Sequence, residues 1–401
     1  NASSVYAAET ESKDNSIIAN IAKEITVRIE VSGSSGSGVI VKKEGDLYTI
    51  LTAWHVVKDN LPGEEVGIIT ADGKEHLWES NSLQKIGEVD MAVFTFTSKK
   101  SYQIATIGNV RSLSSGKTIF VSGFPLPTSS VPVSLWRFLK GNVIANASVP
   151  IPDGYQLLYS NPTLPGMSGG SVLNSKGELV GIHGRAEINN WSINEGQKLV
   201  ASGTNQAVPI TYYQQLVSGE KIVAATTKAT TADDYLAKAK ALLGEKGKEN
   251  EVINLSNKAL NFEEKANAYF YLAYAKHDLE DYKGSIEDYT KAIELDPEYA
   301  NAYNNRGVSK ENLEDYKGAI EDYTKAIKLD PKNAIAYYNR GVSKYNLEDY
   351  KGSIEDFNKA IELDPEYANA YDNRGISKDK LEDYKGAIED YTKAIKLDPK
   401  N

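Results

Sequence analysis

The chain has 401 residues, 41% of them apolar and 25% charged, a globular balance spread over more residues than one ordinary domain holds, so two modules are expected. Its formal charge of −10 is uneven: 18 Lys and Arg face 20 Asp and Glu up to residue 225, and 27 face 35 beyond it. That leaves no basic stripe for nucleic acid and gives the second half a solvated acidic surface, suited if anything to a basic or neutral partner. No stretch approaches the ~18 apolar residues of a membrane-spanning helix. The absence of cysteine excludes disulfides, thiolate metal sites and a cysteine nucleophile, and neither a metal nor a cofactor is expected.

Residues 1–15 are polar and read as a disordered leader. Within them Val5-Tyr6-Ala7 followed by Ala8-Glu9 has the small-residue spacing of a signal-peptidase site, which points to an exported, secreted or periplasmic protein. Residues 16–219 carry strand patterns: period-two alternation from Glu24 to Val31, then apolar runs at Gly38–Val41, Leu47–Thr52, Met91–Phe96, Thr118–Val121, Gln156–Tyr159, Ser171–Leu173 and Leu179–His183. Many short strands broken by Gly, Pro and Ser predict an all-β sandwich or barrel. A Thr/Ala stretch without a periodic apolar face marks residues 220–231 as a linker.

From Ala232 to Asn401 the chain repeats every 34 residues, once in degenerate form and four times clearly. The phrase Leu-Glu-Asp-Tyr-Lys-Gly-(Ala/Ser)-Ile-Glu-Asp begins at Leu279, Leu313, Leu347 and Leu381, and each clear unit ends in Asp-Pro, where proline stops a helix. Period, paired amphipathic helices and the positions of Tyr303, Gly307, Ala319, Tyr323, Ala326 and Pro331 resemble the tetratricopeptide repeat. Arg306 stands where that family usually has Leu. The resemblance implies an all-α solenoid whose inner face docks a protein partner, with Phe270, Tyr274, Asn301, Asn304, Tyr338, Val342, Asp372 and Ile376 along that face. No polar capping helix follows the last repeat, so either further sequence or another molecule, a second copy included, covers that end.

Three elements of the first module carry chemistry. His55 follows the apolar run Leu51–Trp54, where a ring is either a satisfied core group or a base. Asp90 sits between Val89 and Met91, where a carboxylate needs a partner such as a histidine N–H or nearby amides. In Gly166-Met167-Ser168-Gly169-Gly170 glycines frame a serine, which fits either a tight turn or a loop whose Gly166 and Ser168 N–H groups converge on an oxyanion.

In the order His55, Asp90, Ser168, spaced by 35 and 78 residues, these resemble the trypsin/chymotrypsin superfamily, particularly compact bacterial members such as glutamyl endopeptidases and Deg-type proteases. The resemblance spans residues 16–215 and implies two six-stranded barrels with a Ser-His-Asp triad in the cleft between them. It also implies a pocket lined by Thr163 and His183, positions that hold an acidic side chain in glutamyl endopeptidases. Arg185 is expected to add charge at the pocket mouth, and Pro162 offers no carboxylate for Lys or Arg. Met167 occupies the place of the acidic residue that pairs with a new N-terminus in members activated by clipping, so that route is closed. The expectation is a serine endopeptidase preferring Glu before the cut bond, with peptide or protein substrates. The alternative is an inactive protease-like scaffold whose repeats provide the function.

Overall fold

The computed structural model describes residues 14–31, 34–59, 65–79, 81–127, 133–185, 191–193, 197–199, 203–220 and 229–398. Nearly all of the expected leader, most of the expected linker and the final Pro399 lie outside these residues. The chain divides into two compact units, one of residues 1–187 and 203–237, the other of residues 188–202 and 238–401.

The first unit opens with helix α1 (Asn15–Ile25), whose start is capped by the Asp14 carboxylate accepting the Ser16 N–H at 2.8 Å. Ile18, Ala22 and Ile25 bury one stripe of this helix. Glu24 and Ile25, expected to begin a strand, therefore belong to the helix. The strand starts at Thr26, because Ile25 fits the helical stripe as well as the alternation.

Strands β1 (Thr26–Val31), β2 (Ser34–Glu44), β3 (Leu47–Thr52), β4 (Gly67–Ile69), β5 (Glu75–Leu77), β6 (Gln84–Lys85) and β7 (Ala92–Thr97) form an antiparallel sheet in the order β5-β4-β1-β2-β3-β7-β6. Val27, Ile29, Ile40, Ile50, Phe94 and Phe96 fill its concave side. The expectation of two six-stranded barrels is corrected here. This half is a seven-stranded sheet that curls until Trp78, just past β5, bridges Phe96 on β7, with Glu79 N–H donating to the Thr95 carbonyl at 2.7 Å. The return is made by a bridge because β5 is only three residues long.

The second half is a closed six-stranded barrel. Its strands are β8 (Thr118–Gly123), β9 (Arg137–Asn146), β10 (Leu157–Tyr159), β11 (Ser171–Asn174) and β12 (Leu179–Arg185). After a separate hairpin of β13 (Trp191–Ile193) and β14 (Gln197–Leu199), β15 (Asn205–Pro209) closes it in the order β10-β15-β12-β11-β8-β9. Ile119, Val121, Val143, Leu157, Val172 and Val180 make its core. Between β3 and β4 lies the four-residue helix α2 (Trp54–Val57), and after β15 comes α3 (Thr211–Ser218).

The second unit is a helical array. Helix α4 (Ala232–Leu242) starts within the first unit, and α5 (Glu249–Leu260) follows it. The pairs α6 (Ala266–Asp278) with α7 (Tyr282–Leu295), α8 (Ala300–Glu311) with α9 (Tyr316–Leu329), α10 (Ala334–Asn346) with α11 (Tyr350–Leu363) and α12 (Ala368–Lys380) with α13 (Tyr384–Leu397) pack in sequence.

The recurring Glu-Asp-Tyr-Lys-Gly phrase is a turn and a cap. Glu280, Glu314, Glu348 and Glu382 take positive φ near 63°, and the following Asp accepts the N–H of the glycine three residues on at 3.0 Å. A Cβ on Gly318 would lie 2.2 Å from Asp315 Oδ2, so a side chain there would require the capping carboxylate to shift.

Arg306 is accommodated by a carboxylate. Its Nε and Nη2 reach Asp322 at 2.9 and 2.6 Å, and Lys310 joins at 2.8 Å. Arg340, Asp356 and Lys344 repeat the arrangement, as do Arg374, Asp390 and Lys378. Of the residues expected along a docking face, Phe270, Tyr274, Asn304 and Tyr338 are buried between helices and serve packing. Asn301, Val342, Asp372 and Ile376 are half-buried.

Candidate active site

The β3–α2 junction sets the first residue. His55 lies on α2, and its ring is 39% exposed. Its backbone N–H donates to Asp90 Oδ1 at 2.8 Å, and its Nδ1 lies 2.7 Å from Asp90 Oδ2. Asp90, in the turn before β7, is only 6% exposed. Burial by itself would raise its pKa, but hydrogen bonds from the His55 ring, the Tyr155 hydroxyl and the His55 N–H hold it below the usual carboxylate range. The buried charge thus has the histidine partner its apolar flanks call for.

Ser168 lies between β10 and β11, on a loop tied to both halves of the unit. The Ser37 N–H on β2 donates to the Ser168 carbonyl at 2.7 Å, and the Gly169 N–H donates to the His183 carbonyl on β12 at 2.7 Å. Gly166 and Gly169 have φ of 91° and 85°, and a Cβ on Gly169 would stand 1.9 Å from the Ser37 carbonyl oxygen. Glycine is required there by conformation and by space.

Among the described residues, the N–H groups of Gly166 and Ser168 donate to no protein acceptor. The Ser168 hydroxyl donates to the Gly184 carbonyl at 3.0 Å, and no hydrogen bond links it to His55. Met167, beside it, is fully buried in the barrel core.

His183, on β12, has no exposed surface, and its Nδ1 meets the Tyr159 hydroxyl. Burial, with a smaller contribution from His55, pushes its pKa down to about 3, so the ring is neutral. Its Nε2 and the Thr163 Oγ1 are both buried without a hydrogen-bond partner. Arg185 is turned differently from the sequence expectation: its guanidinium pairs with Asp153 and lies 4.8 Å from the centre of the Tyr155 ring. Its charge is therefore already matched by a carboxylate.

Sequence reasoning missed Tyr155, whose hydroxyl donates to Asp90 Oδ2. It also missed Asp153, whose carbonyl accepts the Asp90 N–H at 2.7 Å. The Asp153-Gly154 pair signals a turn, but nothing in the sequence aims that turn at residue 90.

The sequence from residue 36 to 182 matches the model of the trypsin-like peptidase domain. Residues 273–313 and 312–348 match a TPR repeat, and residues 334–367 and 368–401 match the tetratricopeptide repeat. The chain is 30% identical over 223 residues to a "Serine protease HtrA-like" protein of Staphylococcus aureus strain USA300, covering 49% of this chain and 26% of that protein. It is 28% identical over 154 residues to a "Serine protease Do-like HtrA" of Lactobacillus helveticus, covering 37% of this chain and 35% of that protein. The chain therefore spans between about a quarter and a third of these relatives. Among solved structures, "MamA 41-end from Desulfovibrio magneticus RS-1" is 24% identical, with a TM-score of 0.40, covering 42% of this chain and 95% of that one. "Crystal structure of MamA" is 23% identical, with a TM-score of 0.38, covering 41% and 95%.

Proposed function

Because the chain joins a trypsin-like peptidase domain to tetratricopeptide repeats, we propose that it is a serine endopeptidase in which Ser168 is the nucleophile, His55 the base and Asp90 the group that orients it. The observation that carries this reading is the Asp90–His55 pair. With Nδ1–H engaged by a buried carboxylate, the lone pair of His55 lies on Nε2, the tautomer a general base needs.

In this mechanism the Ser168 hydroxyl leaves the Gly184 carbonyl and turns to His55. Its Oγ forms a bond to the substrate carbonyl carbon while the proton passes to Nε2, and Asp90 stabilises the imidazolium. The carbonyl oxygen, now an anion, accepts from the uncommitted N–H groups of Gly166 and Ser168. His55 returns the proton to the leaving amine as the C–N bond breaks, and water then repeats the sequence to release the acyl group.

For the residue before the cut bond we favour Glu. His183 Nε2 and Thr163 Oγ1 are buried polar atoms without a protein hydrogen-bond partner, and, once the pocket opens to a substrate, a neutral His183 whose Nδ1 accepts from Tyr159 has an Nε2–H to give a carboxylate. Arg185 is not needed for this preference, being paired with Asp153.

The repeats, in this reading, dock a protein substrate or regulator. The last helix, α13, exposes Tyr384, Ile388 and Ile395, a face on which a second copy of the chain can pack.

A second reading is favoured by one observation, the Ser168 hydroxyl bonded to Gly184 rather than to His55: a protease-like scaffold whose repeats carry the function. Digestion of a diverse peptide library by the full chain and by Ser168→Ala, read by mass spectrometry, separates the two. Cuts after Glu that vanish in the variant support the peptidase and its pocket for an acidic side chain. Serine-dependent cuts after other residues remove only the pocket assignment, and a folded wild-type chain that cuts nothing supports the scaffold.

A further inference from the structure

We propose that Tyr155 is a positioning residue for the Asp90–His55 pair, the side chain from the second barrel that fixes the orienting carboxylate supplied by the first sheet. The proposal rests on the serine-peptidase reading above and adds to it a residue that neither the motif order nor the family match assigns.

Asp90 has two oxygens and three donors. Oδ1 accepts the His55 backbone N–H, while Oδ2 is shared between His55 Nδ1 and the Tyr155 hydroxyl. Both bonds from His55 come from one side, on α2. With those alone, the orientation of the carboxylate depends on His55 itself, the residue it is to hold. The Tyr155 bond arrives from the other half of the unit and anchors the carboxylate independently of His55. The phenol acts as a donor only: burial and the adjacent Asp90 charge push its ionisation well above the usual range for tyrosine.

The surroundings are built to hold Tyr155 in this place. Its ring is buried, with the Arg185 guanidinium 4.8 Å from the ring centre, and Arg185 is in turn held by the Asp153 carboxylate. Asp153 also fixes the Asp90 backbone, accepting its N–H at 2.7 Å. Gly154 completes the turn at φ 82°, where a Cβ would meet Val89 at 2.3 Å, so the Asp153–Tyr155 turn packs directly on the Val89–Asp90 segment. On β12, a Cβ at Gly184 would lie 2.2 Å from the Tyr155 hydroxyl. The missing side chain at Gly184 is therefore the space the phenol occupies, and the carbonyl of the same residue receives Ser168 Oγ. One glycine thus adjoins both the nucleophile and the group that fixes its base-orienting carboxylate.

The function of the bond is to share the Asp90 charge and hold it in one plane. Removing the hydroxyl alone has two consequences with different readouts. The less constrained carboxylate lowers kcat, by about tenfold to a hundredfold for one hydrogen bond to a charged group, with KM unchanged. The unshared carboxylate draws the His55 Nδ1 proton more strongly, so the NMR resonance of that proton moves downfield.

The experiment is Tyr155→Phe in the full chain, measured in two ways. One is the pH profile of kcat and kcat/KM on a peptide cut in a Ser168-dependent manner. The other is the proton NMR resonance of the His55 Nδ1–H, assigned with His55→Gln among only four histidines. Lower kcat at constant KM, with the Nδ1–H resonance moved downfield, is the expected result. Unchanged kcat and resonance overturn the proposal. A loss of kcat with an unmoved resonance and a lowered melting temperature also overturns it, since that is general loosening. If the wild-type chain shows no Ser168-dependent cleavage, the peptidase reading fails, and the Nδ1–H resonance still decides whether Tyr155 governs the Asp90–His55 pair.

Discussion

Ser168 Oγ and the Gly184 carbonyl oxygen are joined by a 3.0 Å hydrogen bond, which holds the proposed nucleophile against β12 while the Nδ1 of His55 is bonded to Asp90. On the serine-peptidase reading, attack requires the Ser168 side chain to leave Gly184 and rotate toward His55. Rotamer changes of this kind are among the fast motions of a protein.

If that rotation completes the site, His55→Ala and Ser168→Ala each lower kcat on a cleaved peptide by about 10⁴-fold or more, and the double variant falls no further, because the two residues act as a unit. Steady-state kinetics on the three variants checks this. Effects that multiply in the double variant would show that the two side chains work independently.

His183 gives the protein a dependence on pH distinct from catalysis. Its folded pKa, pushed down to about 3 by burial, lies below the ~6.5 of an exposed histidine. Between those values the unfolded chain binds the proton and the folded one does not, so stability falls as pH drops below about 6.5 and the loss levels off near 3. At pH 5 the His183 share is about 2 kcal/mol. His277, buried in the repeats with its pKa pushed down to about 4, contributes in the same direction. Urea unfolding from pH 7 to pH 5, compared between wild type and His183→Gln, should show a shallower slope in the variant.

Asp234 anchors the first turn of α4. Its carboxylate accepts the N–H and hydroxyl of Ser148 at 2.7 and 2.9 Å, the Val149 N–H at 3.0 Å and the N–H groups of Thr230 and Thr231 at 3.0 and 3.1 Å, while Thr231 Oγ1 accepts the Asp234 N–H at 3.1 Å. Burial opposes its ionisation, but these bonds outweigh it and hold the pKa below the usual value. The stabilisation is therefore complete above about pH 4 and lost as pH falls through the depressed folded pKa. Asp234→Ala should lower stability by about 2 kcal/mol at pH 7, and the difference from wild type should shrink in acid below pH 4. Thermal melts at pH 7 and in acid test both parts.

The repeats place each Arg on the first helix of a pair within reach of an Asp on the second. Asp356, about 5% exposed, binds Arg340 and Lys344 at 2.6 and 2.8 Å. Asp356→Ala leaves two largely buried cations facing each other without their carboxylate and should destabilise the array by about 2–3 kcal/mol. Arg340→Met, which removes one cation and leaves Asp356 paired with Lys344, should cost less. The urea midpoint of the helical circular-dichroism signal ranks the two variants, and equal effects would refute a dominant role for the carboxylate.

Local regularity made the architecture legible before any coordinates. The 34-residue period and the Asp-Pro stops gave the helical pairs their ends, because caps and prolines act within a few residues of one another. Alternation and short apolar runs located β1, β2, β3, β7, β8, β10, β11 and β12 but not the remaining strands, among them the ten-residue β9, and the alternation overran into α1 because Ile25 also satisfies a helical stripe. The pairing of His55 with Asp90 was foreseeable, since an acid between Val89 and Met91 needs a donor. The tertiary structure alone decided what those residues meet: Tyr155 on Asp90, Asp153 taking the charge of Arg185, Gly184 receiving Ser168, and a seven-stranded sheet that curls back through the Trp78–Phe96 bridge. The physical reason is range. Propensity, capping and alternation are set by neighbours along the chain, whereas a hydrogen bond between residues 65 positions apart forms only once two separate sheets have brought their turns together.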